Sequence, residues 1–338
     1  MSSDRPIFVV GCPRSGTTML QLMLHAHPRI ALPPESRFLL VAYQRRHDFG
    51  DLSEPARRRA LGRWIVQTPH FADLGLDPDE VIAAIEGSPG TLGSALGTVF
   101  RMYARRFGKP RWGDKRPSYL RHLPVIRRLF PDAQIINIVR DGRDCVASLK
   151  ETPWPPNDLE TMIDHWARAA DASLRAARRY GPDVYHQVRY EDLVARPERY
   201  LRAICDFLGE EFDPAMTKPS ELAAVAVPEY KTWHALTHED VTTERVSSWQ
   251  SRLGAAEIRR CEAVFGDRLR RFGYQTATSG GRGTADRATR VWLGVRHRLG
   301  PARLLAEDVW GSVRTGRRGP VLAARLTAAE RAHQPSWP

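Results

Sequence analysis

The sequence predicts an α/β fold built on a parallel sheet, and three stretches carry that prediction. Residues 6–11, PIFVVG, are an apolar run that ends at Gly11 and is followed by a glycine-containing loop and a helical pattern. Residues 133–149, AQIINIVRDGRDCVASL, repeat the sequence of strand, charged glycine turn and helix. Residues 183–193, DVYHQVRYEDL, supply a third strand ahead of the helical run PERYLRAICDFLG. Strands that alternate with helical stretches are the pattern of a parallel sheet joined by crossover helices.

Taken in chain order, the continuous apolarity of residues 6–11 marks a strand buried on both faces. The helix that follows begins near Gly16, buries Met19, Leu20, Met23 and Leu24, and closes at HPRI. Further helices are predicted at roughly 53–66, 78–86, 91–107, 117–129 and 158–180. The region 38–110 is long for a connection and carries no strand pattern, which predicts a helical cap beside the site, where acceptor selectivity would be built. After RRFGYQ, the stretch TATSGGRGTADR reads as a linker, and beyond it Val291, Trp292, Val295 and Leu299 are spaced for one face of a helix. The expected division is a catalytic domain over 1–278 and a basic, helical C-terminal tail over 279–338.

Composition narrows the function classes. With 338 residues, 42% hydrophobic and 9% aromatic, the chain can bury a substantial core and is not disordered. It has no run of eighteen apolar residues, and residues 1–5 lead into the first strand without a signal-peptide pattern, so the expected location is cytoplasmic. Cys12, Cys145, Cys205 and Cys261 show no paired ligand spacing and are expected to be thiols. The net charge of +12 suits an anionic cosubstrate, an anionic membrane or nucleic acid. Only five of the 51 basic residues are lysine, so a bias towards arginine codons accounts for part of the excess. From Gly281 to Pro338, eleven arginines face four acidic residues, which predicts peripheral contact with a membrane or a helix packed on its own domain.

The first loop, GCPRSGTT, nearly spells a nucleotide-hydrolysing phosphate loop. Gly11 and Gly16 have the right spacing, but Thr17 stands where lysine would reach the β- and γ-phosphates. Backbone amides of residues 13–18 at a helix N-terminus would form an anion nest without lysine, and Arg14, Thr17 and Thr18 add a charge and two hydroxyls. Such a loop suits a 5′-phosphate; a degenerate NTPase loop and a structural glycine turn are the alternatives.

CPRSGTTML, VRDGRDCVASL and RVSSWQSRLG, in that order, resemble the sulfotransferases that use 3′-phosphoadenosine 5′-phosphosulfate (PAPS). VVGCPRSGTTMLQLMLHAHPRIALPPESR resembles most the tyrosylprotein sulfotransferases and their bacterial relatives, and the resemblance covers most of residues 6–275. It implies a P-loop NTPase-like three-layer fold with a helical cap insertion, PAPS as donor and 3′-phosphoadenosine 5′-phosphate (PAP) as product. It also implies that Pro13, Arg14, Ser15, Gly16, Thr17 and Thr18 hold the phosphosulfate, with Arg14 at the transferring group. Arg140 and Ser148, eight residues apart, take the places that bind the 3′-phosphate. Glu35 in PPESR takes the place of the base and Arg37 that of a substrate contact. Lys115 in RWGDKRP takes the leaving-group side, with a salt bridge to Asp114 as its structural alternative. Tyr190, Ser247 and Arg143 are expected around the nucleotide.

A sulfuryl group carries less charge than a phosphoryl group, so protein cations suffice and no metal is expected. Histidine is the base in many cytosolic sulfotransferases. His25 and His27 read as helix terminators, whereas His234 and His238 lie where the family's chain returns over the nucleotide. The acceptor is a hydroxyl of a small metabolite, glycan, glycolipid or peptide tyrosine. The competing readings are a P-loop nucleotide kinase or NTPase, which Thr17 and the arginine ending INIVR oppose, and a basic membrane- or nucleic-acid-binding protein. For nucleic acid, only Trp292, Trp310 and Trp337 could interleave with the tail's charge.

Overall fold

The computed structural model describes residues 5–152, 158–218, 242–277 and 320–324. Five parallel strands form the centre: β1 (Ile7–Gly11), β2 (Ile30–Ala31), β3 (Arg111–Lys115), β4 (Gln134–Val139) and β5 (Tyr185–Arg189), in the order β2-β3-β1-β4-β5. Helix α1 (Thr17–Ala26) follows β1. The connection from β2 to β3 carries α2 (Phe38–Gln44), α3 (Arg46–Phe49), α4 (Pro55–Val66), α5 (Pro78–Glu86) and α6 (Leu92–Arg106), and contains no strand. Helix α7 (Leu123–Leu129) precedes β4, α8 (Gly142–Lys150) and α9 (Leu159–Arg179) follow it, and α10 (Tyr190–Ala195) and α11 (Pro197–Leu208) follow β5.

Alternation along β1 sorts the core into two faces, because successive strand side chains point to opposite sides. Phe8 and Val10 pack with α6, α7 and α9, whereas Ile7 and Val9 pack with α1, α10 and α11. The result is three layers, helix, sheet and helix. Phe8 illustrates the density of the first face: it is fully buried, edge-on to Tyr119 at 5.9 Å and tilted against Phe130 at 5.4 Å.

The order of the strands positions the site. From β1 the chain moves outward to β2 and β3 on one side, and from β4 it moves to β5 on the other, so the direction reverses between β1 and β4. In an open α/β sheet that crevice, at the carboxyl ends of the strands, is where ligands bind. Gly11 pairs with Ile138 in register, which sets the loop after β1 beside the loop after β4.

Three elements depart from the sequence expectation. β2 is only two residues long, and β3 reads RWGDK, a polar string that carries no strand signal although all five residues are buried. The third predicted strand ends at Arg189, and Tyr190 instead opens α10. The predicted tail helix near 286–310 and His234 and His238 lie outside the described residues. Val321 and Leu322 carbonyls accept from the Leu92 and Gly93 amides at 2.8 Å each, and the Ala324 amide donates to Leu129 at 2.7 Å. Those bonds occupy the free first-turn donors of α6 and a free last-turn acceptor of α7.

Candidate active site

The loop between β1 and α1 is a tight anion-binding turn. Arg14 and Gly16 adopt positive φ, 70° and 95°, and the Ser15 amide and hydroxyl both donate to the Cys12 carbonyl, at 3.1 and 2.7 Å. Both Ser15 donors are thereby spent inside the turn, so Ser15 shapes the loop and does not itself donate to a ligand. The first internal bond of α1 runs from Leu20 to Gly16, so the preceding amides, including those of Thr17 and Thr18, remain for an anion. Gly16 is required here: a Cβ would lie 2.7 Å from the ring of Tyr190. Pro13 and Thr18 are half-buried on the same loop, and Thr17 is buried.

The second loop closes on the first. Arg14 Nε donates to Ser148 Oγ at 2.9 Å, and Arg140 Nη1 donates to the Arg14 carbonyl at 3.1 Å. Arg140 Nη2 donates to the Arg245 carbonyl at 2.6 Å, and its guanidinium lies 4.3 Å from the centre of the Tyr190 ring. Arg14, Arg140, Ser148 and Tyr190 therefore form one cluster. Burial lowers the Arg14 pKa, and the neighbouring Arg140 and Arg245 charges lower it further. Among the described residues none of these three arginines forms a salt bridge, and the buried Nε of Arg140 has no hydrogen-bond partner. Converging cations with an unused donor fit a bound anion.

Asp144, on the first turn of α8, anchors the returning segment across this pocket. Its carboxylate accepts from the Ser247 amide at 3.0 Å, the Ser248 hydroxyl at 3.0 Å and the Trp249 amide at 2.8 Å. Ser247 adopts φ 58° and is exposed, so it reaches the pocket's rim with its amide already engaged.

Next to the phosphate loop, Lys115 ends β3 with its side chain almost fully buried. Lys115 Nζ bonds Glu35 Oε1 at 2.9 Å and Thr18 Oγ1 at 3.2 Å. Its amide, rather than its ammonium, meets Asp114, at 2.8 Å, so the ion pair is Lys115–Glu35 and not the alternative Lys115–Asp114 salt bridge. Burial pushes the Glu35 carboxyl up, but Lys115, with Arg37 and Arg116, outweighs it and holds the group at about 2. Arg37 adopts φ 59° at the start of α2, is about half exposed, and lies 3.8 Å from Glu35.

Other residues singled out in the sequence lie outside this cluster. Arg143 is buried away from the anion pocket, bound to Asp141, to Glu262 at 2.5 Å and to the Gln275 carbonyl at 2.8 Å, and stacked 3.9 Å from the Trp249 ring. His25 Nδ1 accepts from the Leu32 amide, its ring packs edge-on to Phe107, and burial lowers it to about 4. His27 is tied to the Glu211 carbonyl. The four cysteines are free and buried. The sequence reading passed over Arg245, although that residue had a usable signal, since it opens the RVSSW segment; Asp114 and Asp144 read only as ion-pair partners for Lys115 and Arg140.

Comparisons with known proteins show the family and the fold. A family model described as "Sulfotransferase family" matches residues 6–214. Protein-tyrosine sulfotransferase 1 of Danio rerio is 27% identical over 289 residues, 81% of this chain and 73% of that protein. Nodulation protein NoeE of Sinorhizobium fredii is 26% identical over 312 residues, covering 84% and 70%. Among solved structures, the sulfotransferase domain from the Synechococcus PCC 7002 olefin synthase matches with a TM-score of 0.53 and 27% identity, over 81% of this chain and 96% of that one.

Proposed function

The chain belongs to the sulfotransferase family, and from that premise we propose that it transfers a sulfuryl group from PAPS to a hydroxyl acceptor, with Glu35 as base. The observation that carries the reading is the closure of the two loops: Arg14 on Ser148 and Arg140 on Arg14 gather positive charge that forms no salt bridge among the described residues, beside the Glu35–Lys115 pair. PAPS supplies an activated sulfuryl group whose departure leaves PAP.

Each residue has a physical task. The amides of residues 16–18 and the Arg14 guanidinium hold the 5′ end, while Arg140, with its unused Nε, holds the 3′-phosphate. Tyr190 packs between Gly16 and Arg140 and keeps the two phosphate sites apart. Lys115 and Arg14 stand where negative charge grows on the departing oxygen, which is the electrostatic work such a transfer needs. Glu35 accepts the acceptor's proton as the acceptor oxygen forms its bond to sulfur.

A carboxylate held at about 2 is a weak base while Lys115 is its partner. An anion that shares Lys115 weakens that hold and adds a like charge nearby, and both raise the proton affinity of Glu35. Arg37, half exposed beside Glu35, faces the acceptor side. A triphosphate reading gains nothing from the structure: Thr17 occupies the lysine position and Arg140 follows β4 where a metal-binding acid would be needed.

The test is Glu35→Gln assayed for sulfuryl transfer from PAPS to a panel of phenols, tyrosyl peptides and glycans. The account expects PAP binding to persist and transfer to disappear. Parental turnover by the variant overturns the assignment of the base.

A further inference from the structure

Asp114 is fully buried at the carboxyl end of β3, yet the chemistry above does not use it. Its Oδ2 accepts from the Tyr119 hydroxyl at 2.5 Å and the Ser36 hydroxyl at 3.1 Å, and its Oδ1 accepts from the Lys115 amide at 2.8 Å. Ser36 adjoins Glu35 in sequence, and Lys115 adjoins Asp114. The one carboxylate therefore holds the neighbour of Glu35 through its hydroxyl and Lys115 itself through its amide. The loop that carries Glu35 contains Pro33 and Pro34 and ends at Arg37, which takes positive φ, so it has little regular structure of its own to fix it.

We propose that Asp114 is a positioning residue for sulfuryl transfer: its carboxylate pins Ser36 and Tyr119 to the end of β3 and so holds Glu35 against Lys115 beside the phosphate loop. The proposal rests on the reading of Glu35 as base. The charged and titratable groups facing Asp114 are Glu35 from the loop, Lys115 on its own strand and Tyr119 on the 3₁₀ segment Pro117–His122, with Ser36 as the remaining donor. An ionised carboxylate matches all three donors. Protonation turns one carboxylate oxygen into a donor, so a hydroxyl that donates to it must accept instead, and the bonds lose their charge assistance, which loosens the clamp. Burial pushes this carboxyl up to about 6, so the loosening falls in an accessible pH range.

The experiment compares Asp114→Asn, Ser36→Ala and Glu35→Gln in full-length protein, with transfer to 2-naphthol followed as PAP release and PAP affinity measured by calorimetry. Asp114→Asn is expected to lower kcat about 10- to 100-fold, the cost of a misplaced reacting group, while PAP affinity stays within about twofold. Ser36→Ala, which cuts only the tie to the Glu35 loop and leaves the buried carboxylate its other donors, is expected to lower kcat about tenfold with an unchanged melting temperature. The parental kcat should fall as pH drops through about 6, and Asp114→Asn should lack that limb. The proposal is overturned if both variants turn over at the parental rate with the parental pH profile, or if their losses in kcat are matched by losses in PAP affinity and melting temperature. Ser36→Ala decides the matter if Asp114→Asn does not fold. If Glu35→Gln alone keeps its turnover, the base assignment fails instead.

Discussion

Gly16→Ala would test the phosphate loop at its tightest point. Gly16 has φ 95°, and a Cβ there would lie 2.7 and 3.1 Å from two ring carbons of Tyr190 and 3.3 Å from Ile138 Cδ1. Tyr190 cannot simply turn aside, because it is buried and its ring lies against Arg140. The left-handed backbone costs alanine about 1–2 kcal/mol. Overpacking adds about 1–3 kcal/mol, and the stiffer unfolded chain returns about 0.4–1 kcal/mol. A net loss of about 2–4 kcal/mol follows. Gly209→Ala is the matched control: φ is 73° and a Cβ would meet nothing within 4 Å, so only the backbone part of the cost applies. Urea unfolding of both variants isolates the Tyr190 contact as their difference, about 1–3 kcal/mol, and PAP titration should show Gly16→Ala weakened about tenfold or more. Equal stability losses in the two variants, with PAP affinity unchanged in Gly16→Ala, would refute the packing of Tyr190 against the loop.

Arg140→Met should weaken PAP about 100-fold and leave AMP within about threefold, as calorimetry would show, because only PAP carries the 3′-phosphate that this guanidinium is assigned. Arg143→Met, three residues on, should do the reverse: it strands Asp141 and Glu262, costs about 3–5 kcal/mol of stability in urea unfolding, and removes no phosphate contact. The Glu35 carboxyl, lowered from 4.5 to about 2, contributes stability that is fully present above pH 4.5 and is lost as pH falls through about 2. Glu35→Gln should therefore cost up to about 3 kcal/mol at pH 7 and little at pH 2, measured by unfolding at both pH values.

The parts of the fold that were legible in the sequence are those whose chemistry is local. β1 is a continuous apolar run and β4 one interrupted by Asn137, and α5 announces both its ends, with Asp77 capping the Glu80 amide, Pro78 in the first turn and Gly87 beyond the last. β3 was hidden because its polar side chains are buried by distant partners: Arg111 by Glu210 and Gln134, Asp114 by Ser36 and Tyr119, and Lys115 by Glu35. A periodicity of apolar residues cannot report a strand stabilised in this way. Arg140 and Arg143 show the same limit within the site. They are equivalent as residue types, and what separates them is Glu262, 119 residues away from Arg143, which neutralises one and not the other. The strand-like run through Tyr190 misled for the opposite reason, since an aromatic residue that packs on Gly16 from the start of a helix looks, in sequence, like the continuation of β5.

The claim that most needs measuring is recognition of a nucleotide by its 3′-phosphate together with its 5′ end. Calorimetric titration of the full-length protein with PAP, against AMP and Mg²⁺-ATP, tests it directly. The account predicts tight binding of PAP that is indifferent to Mg²⁺ and is lost when the 3′-phosphate is absent. A preference for Mg²⁺-ATP, or equal affinity for PAP and AMP, would contradict the assignment of Arg14 and Arg140 to the two phosphate sites.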